Sequence, residues 1–347
     1  MSASSILLFG GQSSERLVSV ASAQYVADCL PESQGWFWRP DGRLTVVDRE
    51  VLLAHENPFQ RTFEPHNGHT FPSLEAALDA EKQQNTPRPV FIALHGGTGE
   101  NGTVQAMFEA RGLPFTASGA EASQQAFSKQ AAKDLMRHAG IRVAPALTVP
   151  AGDTKTGRQV LDEMLARYNC VVLKPNADGS SHGLFIVENQ LQKENALRWV
   201  ETHSDKSCLV EAFVRGREMT TGVVDMPSGL RSLPSSEVIM ADGRVFDYEG
   251  KYLGEGSTEI TPADIPSDLA EKLGRLACQA HEILGCWGYS RTDFLVDENG
   301  PVFIETNTLP GLTSASFIPQ QLEAAAIPMV DFFQHQLALA FQRYERV

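Results

Sequence analysis

Cysteine is scarce and scattered in this chain of 347 residues: Cys29, Cys170, Cys208, Cys278 and Cys286 form no CxxC pair. An odd, dispersed set in a chain of this length is neither a disulfide framework nor a thiolate zinc site, and reads as reduced thiols. Long apolar runs are also missing. None approaches about 18 residues, which excludes a membrane-spanning helix. The apolar stretch near the N-terminus, residues 6–9, is too short for a signal peptide and runs into Gly10-Gly11. The expected compartment is therefore the cytoplasm. Positive charge is in deficit, with 29 Lys plus Arg against 43 Asp plus Glu and a formal charge of −14. Such a balance repels phosphate backbones and anionic lipid, so nucleic acids and membranes are not expected partners. A few local cations still suffice for a small phosphate ligand. Neither a GxxxxGK[ST] loop, a GxSxG elbow nor an HExxH pair occurs.

What is present is an ordinary globular composition, 42% hydrophobic and 21% charged, long enough for two or three domains at roughly 150 residues each. Residues 5–9 (SILLF), a glycine pair and helical spacing over 15–30 read as strand, turn and helix. Residues 35–47 read as a hairpin about Pro40-Asp41-Gly42, 73–84 as a short helix, and 89–112 as a second strand–loop–helix. LPFTAS closes an N-terminal α/β unit, Rossmann-like in pattern, over residues 1–118. Residues 119–206 form a compact α+β module. Its helices fall at 128–140, 157–169 and 192–203, and its strands (170–175, 184–188) flank the loop NADGSSHG. From 207 to 347 strands and hairpins dominate, with a helix at 267–285. EVIM and RVFDY flank Ala241-Asp242-Gly243, and SRTDFLV and PVFIET flank Asp297-Glu298-Asn299-Gly300. The fold class is α/β with α+β character.

The last hairpin carries the clearest chemical pattern. Arg291 and Asp293 are two apart on one strand, Glu305 and Asn307 two apart on the other. Period two turns each pair to one face, and the Asn-Gly turn brings the pairs near each other. Two carboxylates and an amide oxygen are hard ligands suited to Mg²⁺ beside a substrate phosphate. The alternative is a solvated face with an Arg291–Asp293 ion pair. In the loop from Lys174 to Gly183, backbone N–H groups, hydroxyls and a lysine suit a phosphate. Gly97-Thr98-Gly99-Glu100-Asn101-Gly102, with Glu121 further on, matches the dinucleotide fingerprint on paper and keeps a nicotinamide oxidoreductase as a rival. His95 is either a base or substrate contact or a satisfied core residue. His66 and His69 lack a metal-ligand pattern.

Taken in order, GGQSSERLVS, HGGTGENGTVQ, LKPNADGSSHG, LVEAFVRGREMTTGV, FDYEGKY, GYSRTDFL and ETNTLPGLTSAS resemble the D-alanine–D-alanine ligases of the ATP-grasp superfamily. Only residues 30–88 carry little of the likeness. The resemblance implies a three-domain ATP-grasp fold and ATP-dependent joining of two D-alanines through an acyl phosphate, for peptidoglycan precursors. A related ligase joining another amino-acid or hydroxy-acid pair is the nearest alternative. It further implies ATP with two Mg²⁺ ions, or Mn²⁺ in their place, and a homodimer.

By match to the motifs, Lys129, Lys174 and Ser181 resemble the residues that hold the ATP phosphates, and Lys251 the one that reaches the γ-phosphate. Glu211, Phe213, Val214 and Glu218 resemble the adenine and ribose contacts, and Asp293, Glu305 and Asn307 the metal ligands. Glu15 resembles the anchor for the first substrate's ammonium, with Ser180 and Tyr252 as its hydrogen-bonded partners and His95 a further substrate contact. Arg291 and the Gly311 N–H resemble the oxyanion stabilisers, a role in which one donor is worth roughly 3–4 kcal/mol. Ser316 resembles the contact for the second substrate's carboxylate. FDYEGKYLGEGST, bounded by glycines, is the expected lid over a water-sensitive acyl phosphate. Leu17, Asn101, Gly250 and Thr306 depart from the family pattern without removing an expected catalytic group. Tyr252 is the type that accompanies an amino-acid acceptor.

Overall fold

The computed structural model describes residues 4–179, 183–240 and 257–344. Five strands, β1 (Ser5–Gly10), β2 (Ser33–Trp38), β3 (Leu44–Val47), β4 (Thr70–Phe71) and β5 (Val90–Ile92), form a first sheet in the order β4-β3-β2-β1-β5. β1 is parallel to β2 and β5, and every residue of it is buried, as expected where helices cover both faces. Helices α1 (Arg16–Cys29), α2 (Arg49–Leu53), α3 (Leu74–Lys82) and α4 (Thr103–Glu109) complete the unit. The β2–β3 hairpin turns at Gly42, whose φ of 87° favours glycine.

Next come α5 (Ala120–Phe127), α6 (Lys129–His138), β6 (Ala146–Val149), α7 (Thr154–Tyr168), β7 (Val171–Pro175), β8 (Phe185–Val187), α8 (Gln190–Thr202) and β9 (Cys208–Ala212). The four strands form an antiparallel sheet, β6-β9-β7-β8. Val171 and Leu173 turn into a core with Leu161 and Met164 of α7 and Leu197 and Val200 of α8. By period two, Val172 and Lys174 face the other way. Asp153 and Asn189 cap the two helices, accepting from Thr156 N at 2.9 Å and Gln192 N at 3.0 Å.

The remainder holds β10 (Arg217–Met226), β11 (Gly229–Ser232), β12 (Ser236–Met240), β13 (Ser257–Ile260), α9 (Ser267–Ile283), β14 (Tyr289–Asp297), β15 (Gly300–Asn307), α10 (Phe317–Ala324) and α11 (Met329–Tyr344). Its antiparallel sheet runs β13-β12-β10-β14-β15, with β11 beside β10. The β14–β15 hairpin closes where expected, at Asp297 and Gly300. Of the expected 237–248 hairpin, the turn and second strand lie outside the described residues, and β12 pairs with β13.

The cores do not follow sequence order. α5 and α6 supply Ala126, Ala132 and Met136 to the core of the large sheet, with Leu273, Phe294 and Phe303. α11 returns Phe332 and Phe333 to the core of the first sheet, beside Ile6 and Phe91. The cysteines are free. Among the described residues no helix is long and apolar enough to cross a membrane.

Candidate active site

The outward face of the four-stranded sheet looks across a cleft of about 620 Å³ at the large sheet. Lys174, on β7, lies diagonal to Glu211 on β9, since Val172 is the direct partner of Glu211. Lys174 Nζ reaches Glu211 Oε2 at 3.0 Å, and Lys133 Nζ, from α6, reaches Glu211 Oε1 at 3.0 Å. Lys133 is wholly buried. Burial disfavours the charged Glu211, yet Lys174 and Lys133 outweigh it and hold the carboxyl below its usual range. For Lys133, burial wins over Glu211 and lowers its pKa.

Lys129 opens α6 and lines the cleft. Asn176, just after β7, fixes that helix end: its carbonyl accepts from Lys129 N at 2.9 Å and its Oδ1 from Gln130 N at 2.8 Å. Lys129 Nζ then donates to Asp178 O at 2.6 Å and pairs with Glu305 at 3.2 Å.

On the large sheet Asp293 stands directly opposite Glu305, and Arg291 opposite Asn307. Arg291 grips Asp293 in a two-pronged pair, Nε to Oδ1 and Nη2 to Oδ2, both 2.9 Å. Thr220 Oγ1 donates to Oδ1 at 2.5 Å and Asn307 Nδ2 to Oδ2 at 3.4 Å. The Arg291–Asp293 ion pair of the alternative reading is therefore present, with Glu305 and Asn307 on the same face of the hairpin. Two carboxylates with an amide are hard donors that fit Mg²⁺ or Mn²⁺, and cations already lie against both carboxylates, Lys129 on Glu305 and Arg291 on Asp293.

A smaller cavity of about 70 Å³ adjoins the cleft, sharing Lys129, Asp178, Gly179 and Glu305 with it. Glu15, His95, Arg291, Asn307, Gly311 and Ser316 line it. Glu15 and His95 follow the carboxyl ends of β1 and β5, the edge at which parallel sheets place ligands. Ser13 ties the two loops, its Oγ donating to His95 O at 2.5 Å. A Cβ on Gly179 would stand 2.8 Å from Glu15 Oε1, so the glycine loop closes directly on that carboxylate. His95 is buried and both its nitrogens are engaged: Nδ1 with Leu309 O at 3.1 Å and Nε2 with Ser22 Oγ at 2.9 Å. A carbonyl only accepts, so Nδ1 carries a proton towards Leu309 O. Ser22 Oγ in turn accepts from Leu312 N at 3.3 Å. His95 thus holds the 309–316 loop as well as lining the cavity. In that loop Ser316 Oγ accepts from Thr313 N at 3.1 Å.

All the described site residues expected from sequence line one cavity or the other. Ser180, Ser181, Lys251 and Tyr252, with residues 246–256 of the expected lid, lie outside the described residues, and the last two residues of that stretch begin β13. The motifs missed Lys133, although its spacing of four from Lys129 puts both on one helix face. They also missed Asp178, whose carbonyl positions Lys129. The oxidoreductase rival is overturned. Gly97–Gly99 is a 3-10 turn before α4, and Glu121 sits in the first turn of α5, where it accepts from Gln125 at 3.1 Å.

An α/β unit followed by two antiparallel sheets facing across a lysine-lined cleft is the ATP-grasp fold, and the class it defines here is that of ATP-dependent ligases. Residues 4–118 match the family described as D-ala D-ala ligase N-terminus, and residues 135–337 that described as D-ala D-ala ligase C-terminus. The chain is 34% identical to a D-alanine–D-alanine ligase of Leptospira biflexa over 96% of its own length and 97% of the relative's. With the enzyme of that name from Flavobacterium johnsoniae it shares 36%, over 96% and 98%. Among solved structures, the VanG D-Ala:D-Ser ligase of Enterococcus faecalis superposes with a TM-score of 0.81 at 26% identity, covering 96% of this chain and 98% of that one. The D-alanine–D-alanine ligase of Coxiella burnetii, at 24% identity, shares the fold, with a TM-score of 0.80 over 98% of this chain and 94% of that one. This chain belongs to the D-alanine–D-alanine ligase family.

Proposed function

We propose that the protein joins two D-alanine molecules into D-alanyl-D-alanine for peptidoglycan precursors, at the expense of ATP. The observation that carries this reading is the junction of the two cavities at Lys129 and Glu305. An amino acid anchored at Glu15 has its carboxylate beside the phosphate end of a nucleotide lying in the larger cleft. Adenine and ribose fall to Glu211, Phe213, Val214 and Glu218, and the phosphates to Lys129 and Lys174. Asp293, Glu305 and Asn307 would hold one or two Mg²⁺ ions, which when bound supply charge neutralisation for the triphosphate.

A free carboxylate is a poor acyl donor. Its charge repels an incoming amine, and oxide is a bad leaving group. Transfer of the γ-phosphoryl group turns that oxygen into phosphate, and such transfer needs mainly positioning and charge neutralisation. The second amine then attacks, and Arg291 and the Gly311 N–H stabilise the negative charge on the carbonyl oxygen. His95 keeps the loop bearing Gly311 and Ser316 in register. The need for ATP places the reaction in the cytoplasm, and we assign a homodimer from the family.

A D-serine acceptor is the second reading, favoured by the likeness to the VanG D-Ala:D-Ser ligase. Phosphate release from ATP and Mg²⁺, measured with D-alanine, L-alanine, D-serine or D-lactate and product masses, decides between them. Release that depends on D-alanine and gives the dialanine mass is expected. Release only with another pair rejects the D-alanine assignment. Glu305→Gln should reduce turnover by about 100-fold with the fold intact, and unchanged turnover removes Glu305 from the metal site.

A further inference from the structure

Besides Glu15, Asp178 and Glu305, the smaller cavity is lined by two acidic side chains to which no motif assigns a role: Glu100, on the side of His95, and Glu259, on β13 beside Arg291 and Ser316. Sheet register puts Glu259 there. Glu259 pairs with Val238 on β12, Val238 with Glu218 on β10, and Glu218 with Leu295 on β14. Paired residues share a face, and so do Arg291, Asp293 and Leu295 by period two. Glu259 therefore projects from the face that carries Arg291 and Asp293. Helix α10 covers this end of the site. Its Gln320 donates Nε2 to Glu259 Oε2 at 3.2 Å and is itself anchored on Ala315 O at 2.8 Å, which orients the carboxylate. Around the same cavity stand Ser316, at the start of α10, and Phe317, whose ring lies 5.6 Å from the Arg291 guanidinium carbon. Burial raises the Glu259 carboxyl above its usual range, against the pull of Gln320 and Arg291.

We propose that Glu259 receives the ammonium group of the second amino acid and takes a proton from it as the amide bond forms. This rests on the amide-ligase reading above. A zwitterion needs opposite poles in its pocket, and the expected carboxylate contact, Ser316, lines the same cavity as Glu259. Glu15 serves the first ammonium, so a second ammonium requires a second carboxylate. An ammonium has no lone pair and attacks only after losing a proton. In the step, the amine nitrogen bonds the acyl carbon and the bond from that carbon to the phosphate oxygen breaks. The nitrogen sheds two protons on going from ammonium to amide. One passes to Glu259 and the other leaves with the phosphate as hydrogen phosphate. A hydroxy-acid acceptor offers no cation, so Glu259 also selects amide over ester formation.

The test compares wild type with Glu259→Gln, which keeps the side-chain length and the contact with Gln320. Hydroxylamine, uncharged at neutral pH, traps the acyl phosphate as a hydroxamate without needing an ammonium site. It therefore reports donor activation alone. The variant should form hydroxamate from D-alanine and ATP at the wild-type rate. Its dipeptide formation should fall by about tenfold or more, through a higher acceptor KM for the lost charge-assisted contact and a lower kcat for the lost proton acceptor. Its ester-to-amide ratio with D-lactate against D-alanine should rise. Dipeptide formation and acceptor KM within about twofold of wild type overturn the role. Parallel loss of hydroxamate and dipeptide overturns it too, because Glu259 then serves donor activation or the fold. If wild type itself forms neither product, the ligase reading falls, whereas a defect confined to the variant's dipeptide step upholds both.

Discussion

Lys133 shows what a single side chain contributes to the nucleotide cleft. Its ammonium is buried and faces Glu211, which also pairs with Lys174. One carboxylate thus balances two lysines and orients both. Lys133→Met should cost about 1–3 kcal/mol, less than the loss of a sole partner because Lys174 remains. The sign with pH is fixed. The Glu211 carboxyl lies below its usual range in the folded protein, so its stabilisation is present above the unfolded value and is lost as pH falls through the folded one. With one cation gone that folded value rises, and acid unfolding should begin at higher pH. Urea and acid titrations check both statements, and coincident curves for variant and wild type would remove Lys133 from this role. Period two puts Arg291 with Asp293 and Glu305 with Asn307, and the Asn-Gly turn brings the two pairs near each other, but what sets Glu305 opposite Asp293 and Asn307 opposite Arg291 is a one-residue register shift at Ile304 that neither signal contains. Lys133 and Glu259 were not legible in that way. One matters through a partner 78 positions later, Glu211, and the other through pairing between β12 and β13.

Among the elements, α9 is where pH acts on packing. His281 lies in its last turn with Nδ1 2.8 Å from Ser290 Oγ on β14. Burial lowers its pKa from 6.5 to about 4. Above 6.5 the ring is neutral in folded and unfolded chains alike, so the stabilisation is fully present. Between 6.5 and about 4 the unfolded chain takes the proton while the folded one refuses it. That shift is about 3 kcal/mol of stability lost on acidification. His281→Gln, which does not titrate, should flatten this part of the curve by a similar amount. Denaturant midpoints measured across the window check it, and equal slopes for the two proteins would exclude His281 as the source. Elements with a short, local signal matched their expectation, notably α1, α8 and both Gly-turn hairpins within the described residues. Helix α5 was not expected, because its alanines and glutamines carry almost no apolar periodicity. What makes it a helix is the core that receives Ala126 and the neighbouring α6.

At the scale of the whole molecule, the site is an assembly of three layers. Glu15 and His95 lie in the loops that follow β1 and β5 of the first sheet, Lys174 and Glu211 in the four-stranded sheet, and Arg291, Asp293 and Glu305 in the large one. A sequence motif names the members of such a site but not what holds the layers in register, since that depends on packing between distant segments. α11 does much of the holding. Phe333 meets Phe91 of β5 edge-on at 5.3 Å, and Phe332 meets Tyr289 of β14 at 5.4 Å. Gln336 adds a donor to Asp225 O of β10 at 3.1 Å. One helix thus binds the first sheet to the large one.

Phe333→Ala should therefore separate two functions. It removes a buried ring on the first-sheet side, at a cost of about 3–5 kcal/mol, and loosens Glu15 with respect to Arg291. The nucleotide cleft lies between the other two layers and contains no residue of the first sheet. The KM for D-alanine should rise by about tenfold, the effect of weakening an orienting contact by roughly 1.4 kcal/mol. Stabilisation by ATP and Mg²⁺, read as a shift in Tm at a fixed ligand concentration, should keep its wild-type size. If D-alanine KM and the ATP-dependent shift deteriorate together, α11 supports the molecule as a whole. If only D-alanine use suffers, the last helix sets the distance between the substrate's anchor and the charge that activates it.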